Sequence, residues 1–471
     1  MKEYLNDFLC FVIVNNIFYD SSEELLMHTN SSQNTYRSIA MVLIRFSLPL
    51  IFSGILQQLY SWADAYIVGN VVGETALAAI GATGTVINFF LMLITGFTLG
   101  LAILFGQKYG ASELDSLSGI LSTFVLLLGA IAAILCAVSI YFTRPLLILL
   151  NTTPDSMEMA FDYLQIIFVG IPFLAIYNVY SAALRGIGDS RAPFLAVLIS
   201  SVVNVILDIV FVVYLHLGVK GAAAATILSQ IAMTSFMIIY TARKHPVLRY
   251  RLNRTAINRD ALCQGLHLGI PPMIQSSVNA FGGLILQNFM NGFGTHTVIA
   301  ITTAYRVDCI ALLPIVNLGS GISTITAQHH GAGDAEKARK TLFVGTILMS
   351  VVSVALTLLI IPTGGFLVSL FGAGREATAI GHAFFIRLSV FYVIFGLSTS
   401  IRGYLEGVGD VMFSSFTGII QLVVRIILSY AFASVFGNMI IAYAEGASWT
   451  LMFLMYLIRV LYYKPKKVHT K

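Results

Sequence analysis

Two short stretches of this chain occur twice, both times 221 residues apart. Arg185-Gly186-Ile187-Gly188-Asp189 comes back as Glu406-Gly407-Val408-Gly409-Asp410. Gly106-Gln107-Lys108-Tyr109-Gly110-Ala111 comes back as Ala327-Gln328-His329-His330-Gly331-Ala332. Pro49 meets Pro271 with a slip of one residue. Each copy sits within, or at the edge of, a long apolar run. Such a chain is expected to build two copies of one bundle of membrane helices, the architecture of a secondary transporter.

Composition points to the same solvent. Of 471 residues, 57% are hydrophobic and only 10% charged, against roughly 25% charged in a soluble domain. So few charges cannot cover a water-soluble protein of this size, and lipid must solvate most of it. The net charge of +5 does not signal nucleic acid, because the basic residues sit in short loops between apolar runs. Four cysteines, Cys10, Cys136, Cys263 and Cys309, have no metal or redox spacing. Phe8 to Val14 is too short to span and has no basic leader or cleavage site. With the polar stretch that follows, residues 1–40 read as a cytoplasmic extension with an interfacial helix, or as the product of a misassigned start codon.

About 20 apolar residues are needed to cross roughly 30 Å of hydrocarbon. Runs of that length cover 41–67, 76–105, 117–142, 157–183, 191–214 and 219–242, and then 264–291, 297–326, 341–371, 380–402, 412–435 and 438–462. The expected protein is all-α and integral to the membrane, with twelve transmembrane helices in two six-helix bundles. Its expected parts are an N lobe at 41–242, a basic linker at 243–263, a C lobe at 264–462 and a basic tail at 463–471. The linker region carries Arg243, Lys244, Arg249, Arg251, Arg254 and Arg259, and Arg37, Lys108, Arg185, Arg191, Lys337, Arg339, Lys340 and Arg402 fall on the same side. The opposite loops hold only Arg144, Lys220 and Arg375. The basic side is expected to be cytoplasmic, with both termini on it. An even number of spans per half relates the lobes by a pseudo-twofold axis along the membrane normal, with a cavity between them. Pro49, Pro172 and Pro314 lie inside spans, where each removes a backbone hydrogen bond and permits a bend.

An ionisable group inside a span costs roughly 2.5–3.5 kcal/mol, so each one is a candidate site. The first half has two, Asp64 in the first span and Asp208 in the fifth. Ser200, Asn204 and Asp208 follow one another at i, i+4 and share a helix face. Asn178 and Thr226 are polar groups at compatible depth. Such a cluster can exchange a proton or hold sodium through hard oxygen ligands. The bland alternative is interhelical glue. In the second half Arg425 takes the place of Asn204, Ser429 that of Asp208, and Ile285 or Leu286 that of Asp64. One half therefore handles the ion. The second half instead has Arg306, Asp308, Arg387, Arg425 and Glu445, which read as salt-bridge partners or substrate contacts, with Arg387 or Arg425 neutralising Asp308 or Glu445. No catalytic motif occurs. There is no nucleotide-binding Gly-Lys loop, and His329-His330 has no third metal ligand nearby.

Pro49 with Asp64-Ala65-Tyr66-Ile67-Val68-Gly69, both Gln-x-x-Gly-Ala elements, Leu184 to Asp189, and Asn204 with Asp208 give the chain a family likeness. Over roughly residues 40–460 it resembles the multidrug and toxic compound extrusion (MATE) family. The resemblance implies export of organic, often cationic, lipophilic compounds in exchange for protons or sodium by rocking of two lobes. It implies that Asp64, Asn178, Asn204, Asp208 and Thr226 match the family's N-lobe cation site, with no cofactor besides the coupling ion. Lacking acids in the seventh span, and carrying Arg387 where other members have an acid in the tenth, the chain looks closer to the DinF-like branch than to the NorM-like one. A flippase for lipid-linked precursors, with Arg306, Arg387 and Arg425 lining its cavity, is the alternative, and a membrane-embedded lipid enzyme a distant third. The expected setting is the plasma membrane, as a multi-pass protein of the bacterial inner membrane. Expected partners are small organic substrates and membrane lipid but no nucleic acid, with the monomer as the working unit. The cavity is expected to be wide, apolar and aromatic-rich, given 32 Phe and 21 Tyr.

Overall fold

In lipid no water satisfies backbone polar groups, so a chain this apolar must close its hydrogen bonds within helices. The computed structural model describes residues 32–250, 259–372 and 374–462. Most of the expected extension, part of the linker and the tail lie outside the described residues. The first half forms α1 (Ser32–Val71), α2 (Glu74–Gly110), α3 (Leu114–Tyr141), a short α4 (Thr143–Leu149), α5 (Pro154–Val169), α6 (Ile171–Gly186), α7 (Arg191–Asp208) with a π-helical continuation (Ile209–Tyr214), and α8 (Gly218–Lys244). The second half forms α9 (Arg259–Asn291), α10 (Thr295–Ala311), α11 (Leu313–Gly331), α12 (Ala335–Leu370), α13 (Arg375–Leu388), α14 (Tyr392–Gly407), α15 (Val411–Phe436) and α16 (Ile440–Tyr462).

Among the described residues, 8 unbroken helical stretches are long and apolar enough to cross a membrane, or 10 if the bent pairs α5–α6 and α10–α11 each count as one. One stretch, Val411–Tyr462, has 52 residues. At about 1.5 Å per residue that is about 78 Å, more than twice the hydrocarbon thickness. It turns back at Gly437, where φ is 56°, and α15 and α16 pack on each other as two crossings. The 33-residue α9 is long enough to span, but Gln264, Gln275, Ser276, Ser277 and Asn279 dilute its apolarity. Counting these crossings gives twelve, six per half. Pro172 and Pro314 sit in the first turn of α6 and α11, just past bends of 43° and 42°. A missing N–H is harmless at that position. Pro49 lies inside α1 without ending it.

The duplication extends to the backbone. Among the described residues every left-handed residue but Gly218 has a partner at the repeat spacing: Gly73 (φ 111°) with Gly294 (86°), Ser112 (58°) with Gly333 (73°), and Asn151 (53°) with Gly372 (77°). Gly188 (98°) pairs with Gly409 (94°), and His216 (51°) with Gly437 (56°). The α5–α6 break at Gly170 likewise matches a 3-10 turn at Ser389–Phe391 between α13 and α14. One core lies around Leu101, Phe105, Leu121 and Leu184 and takes in Leu268, Ala327 and Val411 of the second half, and another lies within the second half around Phe384, Phe385, Tyr392 and Tyr456. Large apolar side chains such as Ile134, Val351, Leu358 and Val435 face outward, as lipid allows. The lobes meet where α9 and α11 run beside α2, and α11 beside α1. Gly100 makes the first contact possible, since a Cβ there would fall 2.1 Å from the Leu268 carbonyl oxygen.

Candidate functional site

The fifth crossing changes its winding at the residue of most interest. Asp208 is the last residue of α7 before the helix widens into π form, a distortion that concentrates at functional sites. Ser200, Asn204 and Asp208 are all buried, which puts the i, i+4 stripe against the neighbouring helices α1 and α8. Asp208 is 0% exposed, and neither of its carboxylate oxygens has a hydrogen-bond partner. The Oδ1 atoms of Asn204 and Asp64 are likewise buried without a partner. Asp64, on α1, is near enough to act electrostatically on Asp208. Tyr163 on α5, which sequence reasoning missed, feels both carboxylates, and Tyr60 feels Asp64. A buried polar atom without a partner is rare, and several converging in one place describe a site short of a positive charge or of hydrogen-bond donors.

The other two candidates lie elsewhere. Asn178 and Thr226 line a cavity of about 730 Å³ between the lobes, whereas Asp64, Asn204 and Asp208 do not. Asn178 Nδ2 donates to the Leu174 carbonyl at 2.8 Å and Thr226 Oγ1 to that of Ala222 at 3.0 Å. The structure thus brings three of the five candidates together beside the cavity, their side-chain oxygens buried, and leaves two on its wall. Ser200 also lines the wall and belongs to the Asp208 stripe, so α7 touches both places.

The cavity is largely apolar, as expected of it, but not aromatic-rich. Its aromatic lining is limited to Tyr60, Tyr177, Phe395 and Trp449, while Gln57, Gln230, Gln275, Asn279, Asn317 and Gln421 contribute amides, and hydroxyls share the rest with aliphatic side chains such as Leu50, Leu99, Val197 and Met233. Phenylalanines such as Phe105, Phe124 and Phe384 are buried in the cores instead, and others such as Phe343 and Phe366 are exposed on the outside. Arg306, Asp308, Arg387, Arg425 and Glu445 are all absent from the lining, which has Arg185, Arg402 and Glu406 instead. Arg425 Nη2 pairs with Glu445 Oε2 at 2.9 Å and also donates to the Tyr305 hydroxyl at 2.6 Å. Asp308 accepts from the Tyr392 hydroxyl. Arg387 neutralises neither acid: it donates to the Tyr443 hydroxyl at 3.2 Å and the Ala383 carbonyl at 2.7 Å. Arg306 is exposed.

On the basic side the two repeated motifs meet across the lobes. Gln107 Nε2 donates to the Gly407 carbonyl at 3.0 Å, and Gln328 Nε2 donates to the Gly186 carbonyl at 2.8 Å. Each glutamine motif therefore bonds the Gly-x-Gly-Asp turn of the other half. A Cβ on Gly110 would fall 1.9 Å from the Gln328 carbonyl oxygen, and one on Gly331 would fall 1.9 Å from that of Gln107. These reciprocal contacts seal the cavity from the basic side. His329 and His330 belong to the last turn of α11. Next to the seal, Asp189 Oδ1 accepts from the Arg191 and Ala192 backbone N–H groups at 3.0 and 3.1 Å, capping α7. Its Oδ2 accepts from the Tyr240 hydroxyl at 3.0 Å and meets His245 Nε2 at 2.9 Å. Burial alone would lift this carboxyl, but His245, the Ala192 N–H and Tyr240 outweigh it and hold it below the usual carboxylate range. In the second half the matching Asp410 pairs with Arg459 at 2.7 Å.

Comparisons with known proteins fit this architecture. The family model MatE matches residues 49–210 and 271–431. The probable multidrug resistance protein YoeA of Bacillus subtilis (strain 168) is 28% identical over 412 residues, covering 85% of this chain and 88% of that one. Multidrug export protein MepA of Staphylococcus aureus (strain N315) is 23% identical over 414 residues, covering 87% and 89%. An outward-facing multidrug resistance MATE family transporter of the MOP superfamily superposes with a TM-score of 0.84 at 20% identity, over 92% of this chain and 99% of that one. A MOP superfamily transporter from Pyrococcus furiosus gives 0.84 at 21% identity over the same shares, 92% and 99%.

Proposed function

The chain belongs to the MatE family, and on that footing we propose that it is a secondary multidrug efflux transporter, exporting small organic compounds in exchange for protons or sodium. The relatives' names, multidrug resistance and multidrug export proteins, support the cargo. One observation carries the coupling: Asp208 is fully enclosed and neither carboxylate oxygen has a partner. Keeping an ionised carboxylate there costs several kcal/mol, and a proton or a sodium ion removes that cost. Asp64, Asn204 and Asp208 supply hard oxygens for either cation, with Asn178 and Thr226 reached by repacking of the same helices. The second half supports an N-lobe assignment, because Glu445 is paired with Arg425 and Asp308 is held by Tyr392.

Both α1 and α7 carry part of the cation cluster and part of the cavity wall. Cation entry therefore changes how those helices pack and, with them, the shape of the substrate chamber. A ligand shifts a two-state equilibrium only through its differential affinity for the two states. Here the empty, ionised cluster favours a wet, open lobe and the occupied one a dry, collapsed lobe. By the distribution of Lys and Arg, the sealed side is the cytoplasmic one and both termini face it, and the bacterial origin of the relatives supports a bacterial plasma membrane.

The test is dye efflux from proteoliposomes with a proton or a sodium gradient imposed separately. One of the two should drive wild-type export, and Asp208→Asn or Asp64→Asn should abolish the driven component while leaving the protein inserted. Wild-type efflux by both variants would make the acids structural glue and overturn the coupling.

A further inference from the structure

The cavity wall has three side chains charged at neutral pH, Arg185, Arg402 and Glu406, and two of them are already spent on each other. Arg402 Nε binds Glu406 Oε1 at 2.6 Å, and the same carboxylate oxygen accepts from Ser414 at 2.7 Å. At the repeat spacing, Ser181 stands in place of Arg402 and Arg185 in place of Glu406. The i, i+4 ion pair of the C lobe thus becomes, in the N lobe, a serine and an arginine. Arg185 Nε donates only to the Ser181 carbonyl at 3.3 Å, and among the described residues no carboxylate pairs with it. The carboxylates of the cation cluster do not reach the wall either. The chamber therefore offers a substrate one uncommitted positive charge and no uncommitted negative one, among many neutral amides and hydroxyls.

We propose that the central cavity accepts organic anions and zwitterions, docking their carboxylate, sulfonate or phosphate on the Arg185 guanidinium. A guanidinium binds such groups through two parallel N–H bonds, and only one of its nitrogens is engaged here. A volume of about 730 Å³ is that of a drug-sized ligand, within the ordinary range of roughly 300–1,000 Å³. The amides and hydroxyls can bond the rest of the molecule without fixing its identity. The inference names the substrate class of the export reading and rests on it.

Rhodamine B and its ethyl ester share a ring system and differ in a free carboxylate, so their ratio isolates the charge. Fluorescence polarisation with the purified full chain should show the acid binding about tenfold tighter than the ester, the usual effect of one charge-assisted contact. Arg185→Gln should erase that ratio and Arg185→Lys should keep part of it. Because the ratio is taken within each protein, a partly misfolded variant still reports it. Equal or tighter binding of the ester to wild type, or a ratio unchanged in Arg185→Gln, overturns the site. A fluorescent phosphatidylglycerol forms a second arm, in which Arg185-dependent binding identifies a lipid headgroup as a source of the anion. Gradient-driven efflux of rhodamine B is scored separately. If binding shows the ratio and efflux does not occur, export falls and the anion site stands.

Discussion

Replacing Gln328 with leucine should loosen the seal on the basic side of the cavity. The glutamine is 6% exposed, and the Gly186 carbonyl it satisfies is enclosed with it. Leucine fills similar space but leaves that carbonyl unpaired, which costs about 1–3 kcal/mol in the sealed state alone, since opening lets water reach the group. The sealed population should fall between about 5- and 150-fold relative to the open one. Gln107→Leu should do less, about 1 kcal/mol, because its bond to Gly407 is only partly buried. Gly110→Ala should be the most severe, since its Cβ would meet backbone rather than a movable side chain. Spin labels at Leu114 and Glu336, on a cysteine-free background, report the distance between the two basic ends. The expected order of opening is Gly110→Ala, then Gln328→Leu, then Gln107→Leu. Unchanged distance distributions in all three would refute the reasoning, as would a Gln107→Leu effect larger than that of Gln328→Leu.

Two further outcomes follow from the turns. Ser112→Gly and His216→Gly should each stabilise the protein by about 0.5–1 kcal/mol, because both residues occupy left-handed backbone where the second half has glycine, while Asn151→Gly should be near neutral since asparagine tolerates that region. Thermal unfolding of the three variants decides this, and no gain at Ser112 or His216 counts against it. Asp189→Asn should lower stability by about 1–2 kcal/mol at neutral pH. The folded carboxyl is depressed, so its contribution is complete above the unfolded value of about 3.9 and is lost as pH falls through the lower folded one. Unfolding curves of wild type and variant should therefore converge only in strong acid, and a gap that closes near pH 6 would contradict the assignment.

The crossings were legible because apolar runs and a period of 221 residues are one-dimensional signals. Residues 264–291 read as an apolar run like the others, although the glutamines and serines of α9 make it the least apolar of the crossings that length alone would admit. The cation candidates were legible as charges at membrane depth, but their division was not. Whether Asn178 joins Asp208 or faces the cavity depends on how α6 and α7 rotate against each other, and no spacing encodes that. Tyr163 was invisible for the same reason: a tyrosine in an apolar helix carries no mark of what lies opposite. Arg185 was counted as a loop charge, although its side chain bonds back one turn to Ser181 and borders the cavity. The glutamine motifs stood out by repetition, yet their partners lie 300 and 142 residues away.

The reciprocal seal also bears on ancestry. Each half contains one glutamine donor and one glycine carbonyl acceptor, and each donor reaches the acceptor of the other half. A chain of half this length would therefore be complementary to a second copy of itself about a twofold axis. Such a homodimer would carry two carboxylate clusters and two identical sides of the cavity. Fusing two such copies would free one of them to trade its carboxylates for Ser429 and Ile285 or Leu286, and its asparagine for Arg425, without losing the joint that holds the pair together.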